Sequence, residues 1–161
     1  MTDSNTRNKN TRALITGGTQ GLGLAVAKQL AREGCKALAL VGRSEEKGAN
    51  AVAELETLGV EAAFIGTDIS DPANCQWALD EATNHFGTIN GLVNAAAASD
   101  RGTLLDTTPE LFAHLFNTNV SGPFFLSQGV VKGLIAAEAP GSIVNVMSMM
   151  AHAGLSYLTP Y

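Results

Sequence analysis

Thr16-Gly17-Gly18-Thr19-Gln20-Gly21-Leu22-Gly23 is the stretch on which the fold turns. An apolar run, Thr11–Thr16 (TRALIT), leads straight into it, and helix-forming residues at helical spacing, Leu22–Glu33, lead straight out, closed by Gly34. A short apolar run ending in glycine reads as a strand buried on both faces. A backbone that passes close to a pyrophosphate has no room for a Cβ, so glycine is required at the contact. The following helix then offers free N–H groups and its positive dipole end to the phosphates. The spacing is G-x-x-x-G-x-G rather than G-x-G-x-x-G, and no Lys-Ser/Thr pair follows, as a P-loop would need. A tight strand–helix turn with no ligand is the plain alternative.

Outward from this turn the same rhythm repeats. Ala37–Val41 and Val60–Ile65 read as further strands, and Glu45–Leu58, closed by Gly59, reads as an amphipathic helix between them. Thr67–Ser70 makes a turn, and Pro72 opens a helix to about Phe86, broken by Gly87. Ile89–Val93 is a fourth strand and Ala95–Asp106 a loop. Thr108-Pro109-Glu110 starts a long helix to about Ala137, expected to bend at Gly122–Pro123. After a turn at Pro140–Gly141, Ser142–Met147 is a fifth strand, and Ser148–Tyr161 has no clear period. Strands alternating with helices predict an α/β fold, a doubly wound parallel sheet of Rossmann type. Residues 1–10 read as a flexible tail and 11–161 as one dinucleotide-binding domain. Thr159-Pro160-Tyr161 looks like the start of another element, so the sheet is expected to be incomplete on its C-terminal side, with an uncovered edge strand.

Composition bounds the function. Of 161 residues, 45% are hydrophobic and 16% charged, which is globular, and the net charge of −5 gives no electrostatic reason to bind nucleic acid or anionic lipid. No apolar run reaches membrane-spanning length and MTDSNTRNKN has no signal-peptide core, so no membrane partner and a cytoplasmic location are expected. Cys35 and Cys75 read as small core hydrophobes in a reducing compartment. His85, His114 and His152 lack metal spacing, and no metal is expected. Ser148 lies in Val146-Met147-Ser148-Met149-Met150, which is not the G-x-S-x-G of a hydrolase elbow. Met147, Met149 and Met150 could line an apolar pocket or serve the core.

The second strand ends in Val41-Gly42-Arg43-Ser44, where the adenosine ribose of a bound dinucleotide would lie. An acidic residue there would bond the ribose 2′-hydroxyl and repel a 2′-phosphate. A guanidinium clamps such a phosphate instead, so Arg43 favours NADP(H) over NAD(H), although Gln20 supplies no second positive charge.

Taken in order, the motifs resemble those of the short-chain dehydrogenase/reductase family across nearly the whole chain. Thr16-Gly17-x-x-x-Gly21-x-Gly23 matches its cofactor turn. Asp68 of Thr67-Asp68-Ile69-Ser70 matches the aspartate after the third strand, and Asn94-Ala95-Ala96-Ala97 stands where the family has Asn-Asn-Ala-Gly. Asn119 matches an active-site asparagine, Ser148 a catalytic serine and Tyr161, 13 positions later, the tyrosine of Tyr-x-x-x-Lys. The resemblance implies cofactor contacts at Thr16, Gly17, Gln20, Gly21, Leu22, Gly23, Arg43, Asp68, Ile69, Asn94 and Ala95, and catalysis by Asn119, Ser148 and Tyr161. Ala95 and Ala97 depart from the family pattern and add bulk beside the cofactor.

The implied activity is hydride transfer between a nicotinamide cofactor and a small alcohol or ketone. Tyr161 would act as general acid/base, Ser148 would hold the substrate oxygen, and Asn119 would help hold a water chain. A phenol's ordinary pKa is near 10, and the family's lysine lowers it. That lysine would fall four positions past Tyr161, so this chain is expected to turn over poorly and the natural protein to be longer. A homodimer or homotetramer is implied for the full-length protein. A nucleotide-binding or scaffold protein without catalysis stays open as an alternative. A methyltransferase of similar topology fits less well, because it would want an acidic residue where Gly42-Arg43 stands.

Overall fold

The computed structural model describes residues 7–161. Five parallel strands form one sheet in the order β3-β2-β1-β4-β5. They are β1 (Arg12–Thr16), β2 (Ala37–Gly42), β3 (Glu61–Gly66), β4 (Gly91–Asn94) and β5 (Ser142–Asn145). The helices are α1 (Gly21–Arg32), α2 (Glu45–Glu56), α3 (Pro72–Phe86), α4 (Pro109–Phe116) and α5 (Gly122–Ala136). The sheet is the doubly wound, Rossmann-like one that the alternation predicts.

Alternate residues along β1 build the two faces. Ala13 and Ile15 join Leu38 and Leu40 of β2 under α1 and α2, through Ala27, Ala31, Ala51 and Leu55. Leu14 joins Ala39, Val41 and Leu92 under α3 and α5, through Ala78, Leu79, Leu126 and Val130. This is why β1 and β2 read as unbroken apolar runs. Cys35 and Cys75 are free and buried in these layers. Burial, with the nearby Asp71 and Asp68 carboxylates, pushes the Cys75 thiol up to about 11, the behaviour of a packing residue rather than a nucleophile.

Side-chain caps start α2, α3 and α4. Ser44 caps α2 by accepting from the Lys47 N–H, and Asp71 caps α3 by accepting from the Ala73 N–H at 2.9 Å. Thr108 caps α4 through the Leu111 N–H at 3.2 Å, with Pro109 in the first turn.

Three details differ from the sequence expectation. The fourth strand begins at Gly91, because the Asn90 side chain is taken up by backbone: its Oδ1 accepts from Arg12 N–H at 2.8 Å and its Nδ2 donates to the Asn10 carbonyl at 3.0 Å. The long helix does not simply bend at Gly122–Pro123. Its ladder widens into a π turn over Asn117–Ser121, in which the Gly122 N–H donates to the Asn117 carbonyl. Pro123 has no N–H for the carbonyl four residues earlier, and the wider turn absorbs that loss. The expected tail falls outside the described residues for 1–6. Within it, Asn8 is held at the end of α1, where its N–H donates to the Glu33 carbonyl at 3.0 Å and its side chain to the Glu33 carboxylate at 2.6 Å.

Among the described residues no helix is long and apolar enough to cross a membrane. β5 is an exposed edge, with Val144 at 53% exposure.

Candidate active site

The carboxyl ends of β1, β2 and β4 are tied together by the first residues of the glycine turn. The Thr16 hydroxyl, fully buried, accepts from the N–H groups of Ala95 and Ala96, both at 3.1 Å. The Gly17 N–H donates to the Val41 carbonyl at 2.9 Å. The three motif glycines then serve different ends. A Cβ on Gly17 would stand 2.9 Å from Ala96 Cα, and one on Gly23 would run into the Gly17 carbonyl. Both are packing positions. Gly21 alone of the three faces open space, at φ +54, and so leaves the backbone bare toward the cleft. Close packing is thus a reason for glycine at Gly17 and Gly23 beside the approach to a phosphate that the sequence suggests.

Helix α1 follows with no side-chain cap from Gln20 and no acidic residue in its first turn. Its orphan N–H groups and positive dipole end therefore remain available to an anion. The cleft beside it holds ≈ 330 Å³. Its walls are the glycine turn, Val41–Arg43, Thr67–Ile69 and Ala95–Ala98, with His114 and Thr118 from the long helix. Bare backbone at Gly21 and an uncapped helix start are a donor set suited to the phosphates of a dinucleotide. Thr16, Gly17, Gln20, Gly21, Leu22, Gly23, Arg43, Asp68, Ile69 and Ala95 all line this cleft.

Asn94 does not line it. Buried at the end of β4, its Nδ2 donates to Asn145 Oδ1 at 2.8 Å, which ties β4 to β5. Ala95 and Ala96 also pack into the two core layers, so their methyls fill space between sheet and cleft.

Asp68 accepts the Ser70 N–H at 2.9 Å, and this bond chiefly holds its carboxyl below the usual range. Burial opposes it as the next-largest effect, and the Ser70 hydroxyl, Arg43 and His114 each lower it by less. Arg43 Nη1 stands 3.9 Å from Asp68 Oδ2 with most of its side chain in solvent, a loose pair. Lys47 donates from Nζ to Gln20 Oε1 at 2.6 Å. Its ammonium therefore stands at the rim, where Gln20 itself carries no charge. Sequence reasoning missed Lys47, His114 and Thr118. The available signals were the place of Lys47 in the first turn after the Ser44 cap, and the spacing of four between His114 and Thr118.

A second pocket of ≈ 480 Å³ adjoins the first and shares Ala96 and Ala97 with it. Asn119, Ser148 and Tyr161 all line it, so the three proposed catalytic side chains share one pocket. Met147 and Met150 line it too; Met149 does not and is largely exposed. The Asn119 side chain grips the loop wall, accepting from Ala98 N–H at 2.9 Å and donating to its carbonyl at 2.8 Å. Ser148 Oγ accepts from Met150 N–H at 3.1 Å, starting a short 3-10 turn. Tyr161 is held through the segment before it: Gly102 donates to the Tyr157 carbonyl at 2.9 Å and accepts from Thr159 N–H at 3.2 Å. No lysine or arginine lines this pocket among the described residues, and no cluster of His, Cys, Asp and Glu there could hold a metal.

A parallel sheet in this order, with a glycine turn and an open cleft at its carboxyl edge, defines the dinucleotide-binding class. Within that class, the model of the short chain dehydrogenases matches residues 11–161, and the chain belongs to that family. It is 33% identical over 150 residues to L-2,3-butanediol dehydrogenase of Corynebacterium glutamicum, covering 92% of this chain and 58% of that protein. The structure of NAD+-bound xylitol dehydrogenase matches with a TM-score of 0.89 at 29% identity, covering 97% of this chain and 60% of the other. A blue fluorescent protein from a metagenomic library, in complex with NADPH, matches with a TM-score of 0.86 at 30% identity, covering 99% and 63%. The chain thus spans less than two thirds of the length of each of these relatives.

Proposed function

We propose that the whole protein is a nicotinamide-dependent oxidoreductase acting on a small alcohol or ketone. The observation that carries this reading is a pair of adjoining pockets that share Ala96 and Ala97: an uncapped helix start and bare Gly21 backbone in one, and Asn119, Ser148 and Tyr161 in the other. A bound nicotinamide accepts or supplies the hydride. The chain's part is to bind, orient and handle the proton. Tyr161 moves the proton of the substrate oxygen, Ser148 holds that oxygen by a hydrogen bond, and Asn119 keeps the Ala98 wall in place. In this proposal the 161-residue chain binds nucleotide with little or no turnover, because no lysine or arginine among the described residues lines the pocket of Tyr161. The residual alternative, a nucleotide-binding scaffold without catalysis, has the same binding half and differs only there.

NADP(H) is the preferred cofactor in this proposal. Arg43 lines the cleft next to Gly42, where an acidic residue would select NAD(H), and Lys47 donates to Gln20 of the same cleft. Titration with NADPH and with NADH, read by cofactor fluorescence, tests both levels. Saturable binding that is tighter for NADPH is expected. A folded chain that binds neither nucleotide overturns the function, and equal binding of the two overturns the preference.

The homodimer or homotetramer and the cytoplasmic location remain parts of this proposal. Phe112, Phe116 and Ile135 leave an apolar face on α4 and α5 that a second copy would cover, and the two free cysteines suit a reducing compartment. Size-exclusion with light scattering on the whole protein tests the first.

A further inference from the structure

The methionines beside Ser148 have no part in the proton handling, yet Met147 and Met150 line its pocket. Val120 of the π turn, Phe124 of α5 and Val146 just past β5 line it with them. Met147 is 77% exposed, so its side chain is not spent on the core. Among the described residues no Asp, Glu, Lys, Arg or His lines this pocket. A charged ligand would lose water there and gain no counter-charge.

The polar side chains of the pocket are largely used by the protein itself. Asn119 is bonded at both ends to Ala98. Asn94 donates to Asn145 Oδ1, and its own Oδ1 is sealed from solvent. Ser148 Oγ accepts from Met150 N–H, which leaves its O–H to donate. The side chains of the walls therefore offer a ligand that hydroxyl, the hydroxyl of Tyr161 and the Nδ2 of Asn145. The two hydroxyls serve the reacting oxygen, and Asn145 serves at most one more. Further hydroxyl groups of a polyol would meet thioether, methyl and aromatic surface, stripped of water with no bond in return.

We infer that the substrate is an uncharged ketone or secondary alcohol whose reacting oxygen stands between apolar flanks, and that Met147 and Met150 set this choice. The inference rests on the proposed function and narrows its substrate class. An unbranched, polarisable methionine adapts to flanks of different shape, so the selection is for apolarity more than for one outline.

Three ketones of similar size test it: diethyl ketone, dihydroxyacetone, in which a hydroxyl replaces each methyl, and pyruvate, which carries a carboxylate. Saturation-transfer NMR on the 161-residue chain in saturating ADP-ribose ranks their affinities. Diethyl ketone is expected to bind at least about tenfold more tightly than either of the others. Met147→Glu puts a carboxylate into the wall at an exposed position that spares the fold, and is expected to weaken diethyl ketone at least about tenfold. Met147→Leu keeps the wall apolar and is expected to bind it like the parent. Calorimetric titration with ADP-ribose reads the other cleft and reports that each variant is folded. Equal or tighter binding of dihydroxyacetone or pyruvate overturns the inference, as does a diethyl ketone affinity that Met147→Glu leaves unchanged. Failure of all three ketones on a chain that holds ADP-ribose overturns it too and leaves the nucleotide reading standing. A folded chain that holds neither ADP-ribose nor any ketone overturns both.

Discussion

The two halves of the sheet are finished to different degrees. Around β1 and β2 every interior strand residue is buried, and α1 and α2 turn alanine and leucine inward. Around β5 and the long helix, Val144, Phe112, Phe116, Phe124 and Ile135 stand in solvent. The nucleotide cleft therefore rests on a packed scaffold, with Thr16 and Gly17 bonded into the neighbouring strands. The pocket of Ser148 and Tyr161 is held mainly by loop backbone bonds. In the proposed function, binding draws mainly on the half with the packed core, with His114 and Thr118 added from the long helix, and chemistry draws on the half with exposed apolar surface.

The largest expected effect breaks this contrast most directly. Leu40 is fully buried, and Leu40→Ala is expected to cost about 2–5 kcal/mol of stability in urea unfolding. Ile135 is 72% exposed, and Ile135→Ala is expected to stay within about 0.5 kcal/mol. Similar costs at the two positions would mean that the α5 half is as well packed as the β2 half in solution.

The glycine turn sharpens the same comparison inside the better-packed half. Gly23→Ala drives a methyl into the Gly17 carbonyl, and overpacking of this kind is expected to cost about 1–3 kcal/mol and to abolish nucleotide binding with it. Gly21→Ala meets nothing within 4 Å, so its cost in stability is only the left-handed backbone, about 1–2 kcal/mol. In the proposed binding mode its methyl meets the phosphates, and NADPH affinity is expected to fall at least about tenfold, roughly 1.4 kcal/mol, while the chain stays folded. Fluorescence titration beside circular dichroism separates the two. Retained NADPH binding in Gly21→Ala would move the phosphates away from this turn.

What was legible in the sequence divides along the same line. β1, α1, β2 and the glycine turn show in composition and period, because each is decided by burial and local backbone demands. The π turn does not show, since Asn117-Thr118-Asn119-Val120-Ser121 has no composition that separates it from an α-helix. Pro123 announced a disturbance, and the structure places it a turn earlier. Lys47 reaches Gln20 across 27 positions, a contact no periodicity reports. The family motif placed Asn94 with the cofactor contacts. Its bond to Asn145 across β4 and β5 depends on strand order, which a motif does not spell out.

The smallest expected effect compares two aspartates, one in each half. Asp68 and Asp106 both have pKa values held down, each chiefly by a backbone N–H, that of Ser70 and that of Thr103. A carboxylate lowered on folding adds stability that is fully present above its unfolded pKa, about 3.9, and is lost as pH falls through the folded value. Unfolding in urea between about pH 5 and pH 2.5 is therefore expected to show a shallower acid loss in either Asp68→Asn or Asp106→Asn than in the parent. Each variant lacks that contribution, so its stability near neutral pH should fall by about what the carboxylate adds there, and should approach that of the parent at the acid end. The halves part on ligand: Asp68 lines the nucleotide cleft and Asp106 does not. Asp68→Asn is expected to weaken NADPH, because it removes a strong acceptor from the wall of the cleft, while Asp106→Asn leaves the affinity alone. If both variants shifted affinity equally, the loop carrying Asp106, which accepts from Thr103 beside Gly102, would have to be coupled to the cleft, and the division between a binding half and a chemical half would fail there first.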